Sequence, residues 1–396
     1  MKKIKVLISA YSVDKEDVSE AQLAFEWIRQ LSQLVNLTVC STGSRYDRPS
    51  GLEDMIGIRY IQVNESVRWQ RWRIIDRAIH PGIMEFHFKL ARIAKRLYKN
   101  EKFDLAHLLA PFAPRYASPF RKLGIPSIIG PLMGGLSIPP AFRDISEKEP
   151  LFYRLRELDR WRIRYSPSLR QTYRGTSRIL IMGDYLRPLF PNAWQDRIHC
   201  LSSIGVDPEE FKPIDKKKGM TVLDKPLRLL YVGRIVPYKG LHYVIKALGK
   251  LDEPSRVKLT IVGEGPLRPE CEKLAKEYGV SESLEWIGPK PHSEVPEFFQ
   301  QNDVFIQPAI KEAGGTVVLE AMASGYPVIC LKRGGPGAIV DDECGMAINA
   351  DSVDQVVDDM ASVLQNLLDG PEKIQKMAKF ARLRVLKEYS WQKLAE

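Results

Sequence analysis

Short apolar runs alternate with longer amphipathic stretches along almost the whole chain. Residues 4–9, 37–41, 58–63, 105–109, 127–130 and 179–182 are each too short for a helix and rich in Val, Ile or Leu. Such runs predict strands covered on both faces. Helical spacing separates most of them: in residues 21–34 the apolar positions include Leu23, Ile28 and Leu31. The pattern then breaks over residues 208–226, which carry Pro208, Pro213, Gly219, Pro226 and the run Lys216-Lys217-Lys218. It resumes with a predicted strand at 227–232, a helix at 241–251 and strands at 259–262, 284–287, 304–307 and 328–331.

Strand–helix alternation on both sides of one break predicts an α/β protein with two doubly wound, Rossmann-like parallel-sheet domains facing across a cleft. The expected boundaries are 1–210 for the first domain, 211–226 for a linker and 227–388 for the second. Residues 389–396 are expected to return toward the first domain. At 396 residues and 44% apolar composition, the chain is long enough to bury two such cores.

Charge changes this picture by separating the halves. Residues 1–212 hold 34 Lys/Arg against 23 Asp/Glu, whereas the remainder holds 25 against 26, so the net charge of +10 belongs to the first half. A one-sided field of this kind points to an anionic partner. Basic residues interleave with aromatics in Arg68, Trp69, Arg71, Trp72 and Arg73, and again between Arg154 and Arg178, where Trp161 and Tyr165 lie. Amphipathic basic stretches with Trp suit the headgroup region of an anionic membrane. No recognised nucleic-acid motif accompanies them, so a nucleic-acid partner is not expected. No apolar run approaches the roughly 20 residues of a membrane span, and the run at 6–8 reads as a buried first strand rather than a leader. The five cysteines show no paired spacing and are expected as buried, reduced thiols of a cytoplasmic protein.

Two segments carry candidate chemistry. In the first, a strand ends at Gly233 and is followed by Arg234 and Lys239 at the strand–helix turn. Cations there suit a leaving diphosphate, whose bridging oxygen gains charge as a glycosidic bond breaks. In the second, Glu312 precedes Gly314, Gly315 and Thr316 at a predicted helix start, with Glu320 about two turns on. Glycines let backbone amides approach a ligand, and a helix N-terminus favours an anion. Gly263-x-Gly265 lacks the third glycine of a dinucleotide fingerprint, Arg268 standing in its place, which argues against a dehydrogenase. Gly334-Gly335-Pro336-Gly337 reads as a loop.

Together these segments resemble retaining glycosyltransferase family 4, a GT-B family. The Glu-x7-Glu signature falls on Glu312 and Glu320, and the Gly-Arg…Lys-Gly signature on Gly233, Arg234, Lys239 and Gly240. The resemblance is dense over residues 227–331. It implies that Arg234 and Lys239 bind the donor diphosphate, Glu312 the donor sugar and Glu320 the nucleotide ribose. Gly314, Gly315 and Thr316 would supply helix-start amides.

Toward the N-terminus, Ser19-Glu20 and the run Gly130-Pro131…Gly134-Gly135 resemble the loops of one subgroup, with Val18 where glycine is expected. Glu20, Gly130, Gly134 and Gly135 are thus acceptor-side candidates. Many family members have a histidine near position 131; this chain does not. His107, read at the end of a strand, either touches the acceptor or is a satisfied strand histidine. The chain contains no Asp-x-Asp pair, so no metal cofactor is expected. The implied reaction moves a hexosyl group from a nucleotide diphosphate-sugar to a lipid-linked or saccharide acceptor. Cell-surface glycan synthesis at the inner face of the plasma membrane is its implied setting. A nucleotide-sugar epimerase of the same fold and a non-catalytic nucleotide-sugar-binding module are the rivals; the Glu-x7-Glu spacing argues against the first.

Overall fold

The computed structural model describes residues 3–17, 19–66, 80–142, 158–213 and 226–396. Val18, the basic–aromatic group Arg68, Trp69, Arg71, Trp72 and Arg73, and most of the expected linker lie outside the described residues. The chain forms two compact units: Met1–Gly135 with Glu149–Ile204 and Leu394–Glu396, and Leu136–Lys148 with Gly205–Lys393.

The first unit is built on a seven-stranded parallel sheet: β1 (Lys5–Ala10), β2 (Asn36–Ser41), β3 (Ile58–Gln62), β4 (Leu105–Ala110), β5 (Ser127–Leu132), β6 (Arg178–Ile181) and β7 (Ile198–Cys200). Its order is 3-2-1-4-5-6-7. The second unit repeats the scheme with β8 (Leu227–Val232), β9 (Val257–Val262), β10 (Leu284–Gly288), β11 (Val304–Gln307), β12 (Val328–Leu331) and β13 (Gly345–Ile348), ordered 10-9-8-11-12-13. In both, the strand order reverses beside the first strand, and ligands of open parallel sheets collect at the carboxyl ends there.

The helices follow from caps and apolar faces. Ser19 caps α1 (Glu20–Leu34), accepting from the Ala21 amide at 3.4 Å. In α2 (Pro81–Asn100), Ile83, Phe86, Leu90 and Ala94 turn inward at helical spacing, and Phe86, Leu90 and Ala94 join Leu7, Cys40 and Ala106 in the core. The short α3 (Asp159–Tyr165) and α4 (Pro167–Gly175) complete the described helices of the first unit that matter here. In the second unit, α5 (Leu241–Leu248) is apolar nearly all round and is buried beneath α10 (Val353–Asp369). Between them in sequence lie α6 (Arg268–Glu277), α7 (Val295–Gln301), α8 (Thr316–Ala323) and α9 (Gly334–Ile339), and α11 (Glu372–Arg384) follows.

Several expectations need correction. The edge strands β7 and β13 are present although no run marked them: β7 is three residues long, and β13 contains Gly345. Gly334–Ile339 is helical, not a loop. The helix expected over 241–251 stops at Leu248, where Gly249 caps it. Cys40, Cys271, Cys330 and Cys344 are buried free thiols, but Cys200 is exposed because it sits on edge strand β7, donating to Asp184 Oδ1 at 3.2 Å. Where the chain pattern places one boundary at 210, Leu136–Lys148 groups with the second unit. Phe142 is buried in that unit's core, edge-on to Tyr243 with ring centroids 6.0 Å apart.

Candidate functional site

The carboxyl ends of β8 and β11 adjoin, and two loops leave them: Gly233–Gly240 and Pro308–Gly315. Glycines let these loops and their neighbours lie backbone to backbone. A Cβ on Gly240, whose φ is +78°, would stand 2.1 Å from the Pro308 carbonyl oxygen. On Gly263 it would stand 2.0 Å from the Gly233 carbonyl oxygen. Gly263 therefore packs the loop after β9 against the one after β8, and Gly233 N donates to Val262 O at 3.0 Å. The Ile310 amide donates to Tyr238 O at 2.8 Å, tying the two site loops together. From below, the buried Tyr231 hydroxyl donates to Arg234 O at 3.1 Å.

This frame sets the side chains. A single 3-10 turn, Pro237–Lys239, lifts Lys239 so that its ammonium pairs with Glu312 Oε2. The Gly314 amide donates to Glu312 Oε1 at 3.4 Å. Arg234 is exposed at the head of the same loop. The Glu312 loop is clamped from its far side by α9: the Gly335 amide donates to Glu312 O at 3.0 Å, and a Cβ on Gly335 would fall 1.7 Å from Gly314 O. Arg333, just before α9, donates from Nε to Ile310 O at 3.1 Å and from Nη2 to Ser137 O at 2.6 Å. The glycines read as a loop are thus the helical brace for Glu312.

Gly315 precedes α8 in the left-handed region, φ +96°, and makes no side-chain cap bond. The Val318 and Leu319 amides donate to Gly315 O at 3.0 and 3.2 Å, and the Thr316 and Val317 amides before them form an anion-favouring end. Helical periodicity does not relate Glu312 to Glu320, because the helix begins only at Thr316. Glu320 lies inside α8, 2% exposed. Its Oε1 accepts from His292 Nε2 at 2.8 Å, and among the described residues its buried Oε2 has no hydrogen-bond partner. The bond to Glu320, against desolvation by burial, raises the His292 pKa above its ordinary value. Sequence reasoning missed His292; the one signal available was its place just after the carboxyl end of β10.

In the first unit the acceptor-side candidates divide. Glu20 opens α1 and is exposed. Gly130 sits within β5 at φ +101°, where a Cβ would meet Leu180 O at 2.3 Å. Gly134 and Gly135 follow β5, both in the left-handed region. His107 does not end its strand: β4 runs on through buried Leu108, Leu109 and Ala110, and His107 pairs in register with Ile8 and Ile128. Burial lowers its pKa to about 4, so the neutral ring donates from Nε2 to Gly130 O at 2.6 Å. The histidine is engaged inside the sheet.

Residues 214–384 match the family model described as Glycosyl transferases group 1. An uncharacterized glycosyltransferase of Methanocaldococcus jannaschii is 29% identical over 216 residues, covering 52% of this chain and 53% of that one. The chain spans about half the length of the curated relatives it matches. Among solved structures, WaaG, a glycosyltransferase involved in lipopolysaccharide biosynthesis, superposes with TM-score 0.59 at 18% identity over 98% of each chain. HepE of Anabaena in complex with UDP gives TM-score 0.64 at 14% identity over 99% of this chain and 97% of that one. These structures share the two-unit parallel-sheet fold.

Proposed function

We propose that this chain is a retaining hexosyltransferase that draws its sugar from a nucleotide diphosphate-sugar bound at the carboxyl ends of β8 and β11. One observation carries the reading: Lys239, Glu312, the first amides of α8 and a Glu320 oxygen with no hydrogen-bond partner among the described residues all belong to the loops and helix that follow the strand ends where the second sheet reverses order. Lys239 and Arg234 take the diphosphate, and their charge stabilises its departure. Glu312 passes from Lys239 to sugar hydroxyls as phosphate arrives, and Glu320 accepts from the ribose. With two cations and a helix end available, the diphosphate is held without a metal. Retention, with attack from the leaving-group side, follows the family 4 resemblance. UDP in the similarly folded HepE and the lipopolysaccharide role of WaaG support a nucleotide-sugar donor and a glycan product.

The first unit is assigned the acceptor, and its surface favours one presented at an anionic membrane. Asp159 of α3 is turned inward to Arg115 at 2.8 Å, leaving Arg160, Arg164, Tyr165 and Trp161 outward, Trp161 66% exposed. On α2, Phe88 is 60% exposed beneath the Arg92 guanidinium, 4.1 Å from the ring centroid. Among the described residues no helix is long and apolar enough to cross a membrane.

The test is thermal unfolding against UDP, GDP and ADP, with chelator and without, for wild type and Arg234→Ala. Ligand at 100 times its dissociation constant stabilises by roughly 2.7 kcal/mol. One diphosphate should raise the Tm in chelator, and Arg234→Ala should remove the rise. No shift with any of the three overturns the donor site, and a shift that needs added metal overturns metal independence. Binding without sugar transfer from the matching nucleotide-sugar favours the non-catalytic module.

A further inference from the structure

The two carboxylate oxygens of Glu320 differ in their surroundings. Oε1 accepts from His292 Nε2 at 2.8 Å, while Oε2 is buried without a partner among the described residues. An ionised carboxylate only accepts, so His292 carries hydrogen on Nε2 whether the ring is neutral or charged. The ring itself is held in place. It opens the 3-10 turn His292–Glu294 after Pro291, and its edge meets Phe211 at a centroid distance of 6.0 Å. The charged groups about it come from several elements. Glu320 lies on α8 and Glu210 on the segment leading to Phe211. Lys290 and Glu294 pair at 3.0 Å on its own turn. Arg382 of α11 holds the neighbouring Phe211 segment, donating to the carbonyls of Phe211 and Ala323 at 2.8 and 2.6 Å.

We propose that His292 is a positioning residue: by occupying Oε1 it fixes the Glu320 carboxylate so that Oε2 faces the vicinal ribose hydroxyls of the donor nucleotide. This rests on the donor-site reading above. A buried carboxylate oxygen left unpaired is costly, and a diol satisfies it with donors that a deoxy sugar lacks. The site therefore selects ribonucleotides, and the selection depends on a side chain outside the two signature segments.

Calorimetric titration of the full chain tests this with UDP, GDP and ADP and their 2′,3′-dideoxy forms, for wild type, His292→Phe and His292→Gln. Phe keeps a ring against Phe211 without a donor; Gln restores an N–H. Wild type should prefer the ribose form by about tenfold or more, the scale of a hydrogen bond to a charged group. His292→Phe should bring that ratio toward one while dideoxy affinity stays within about twofold, and His292→Gln should recover part of the preference. If His292→Phe keeps the wild-type ratio, or weakens both ligands equally, His292 does not position Glu320. If wild type binds a diphosphate with no ribose preference, the inference fails while the donor site stands. If wild type binds none of the three, the donor reading itself fails.

Discussion

Gly335→Ala tests how the Glu312 loop is held. The added Cβ would stand 1.7 Å from Gly314 O, 2.4 Å from Gly314 C and 2.8 Å from Ala313 O, all backbone atoms that cannot rotate aside. Restoring even a 3.0 Å contact to Gly314 O requires a retreat of at least 1.3 Å. That retreat stretches the bond from the Gly335 amide to Glu312 O and draws Glu312 away from Lys239. Overpacking of this kind costs about 1–3 kcal/mol. For a unit of this size each kcal/mol lowers the Tm by about 2–4 °C, so a fall of roughly 5 °C is expected. A displacement near 1 Å in a substrate-positioning group costs about 100-fold in rate. Scanning calorimetry and single-turnover release of sugar from the nucleotide-sugar would read the two effects separately. Gly175→Ala is the control, because among the described residues nothing beyond its chain neighbours and its own helix backbone lies within 4 Å of its Cβ position, and its φ is not positive; it should be neutral or stabilising by up to about 1 kcal/mol. A Gly335→Ala protein with unchanged Tm and unchanged turnover would refute the brace.

Two further outcomes are expected. Burial holds His87 and His107 at about 4, below the ordinary 6.5, so the unfolded chain takes up protons that the folded one refuses. The stability they contribute is complete above pH 6.5 and is lost as pH falls toward 4, by at most about 3 kcal/mol per ring; His107→Gln should flatten the Tm–pH slope over that window. Trp161→Ala with Tyr165→Ala should reduce co-sedimentation with phosphatidylglycerol vesicles severalfold while leaving diphosphate binding intact, and equal sedimentation of both proteins would count against the membrane surface.

The strands were legible because both faces of these sheets are covered, so their residues form unbroken aliphatic runs such as Leu227–Val232 and Val304–Gln307. β7 and β13 escaped notice because edge strands have one neighbour and need less apolar surface. The glycines of α9 read as loop residues because local propensity opposes a helix there; contact with Gly314 and Glu312, distant in sequence, demands glycine instead. Lys239 and Glu312 are visible as chemistry, but their pairing is not, since it depends on β8 and β11 being neighbours. His292 was hidden for the same reason. Nothing local marks a histidine after Pro291 as the partner of a carboxylate three elements later.

Phe142 gives the second unit a history as well as a shape. The ribosome releases this side chain well before Tyr243, so a residue destined for the later core waits among the sequence of the earlier unit. The second unit is consequently not one continuous stretch of the gene. A fragment beginning at Gly205 would lack the ring that fills the space beside Tyr243. Shuffling this unit between proteins as a cassette would have to carry the separate piece containing Phe142 with it.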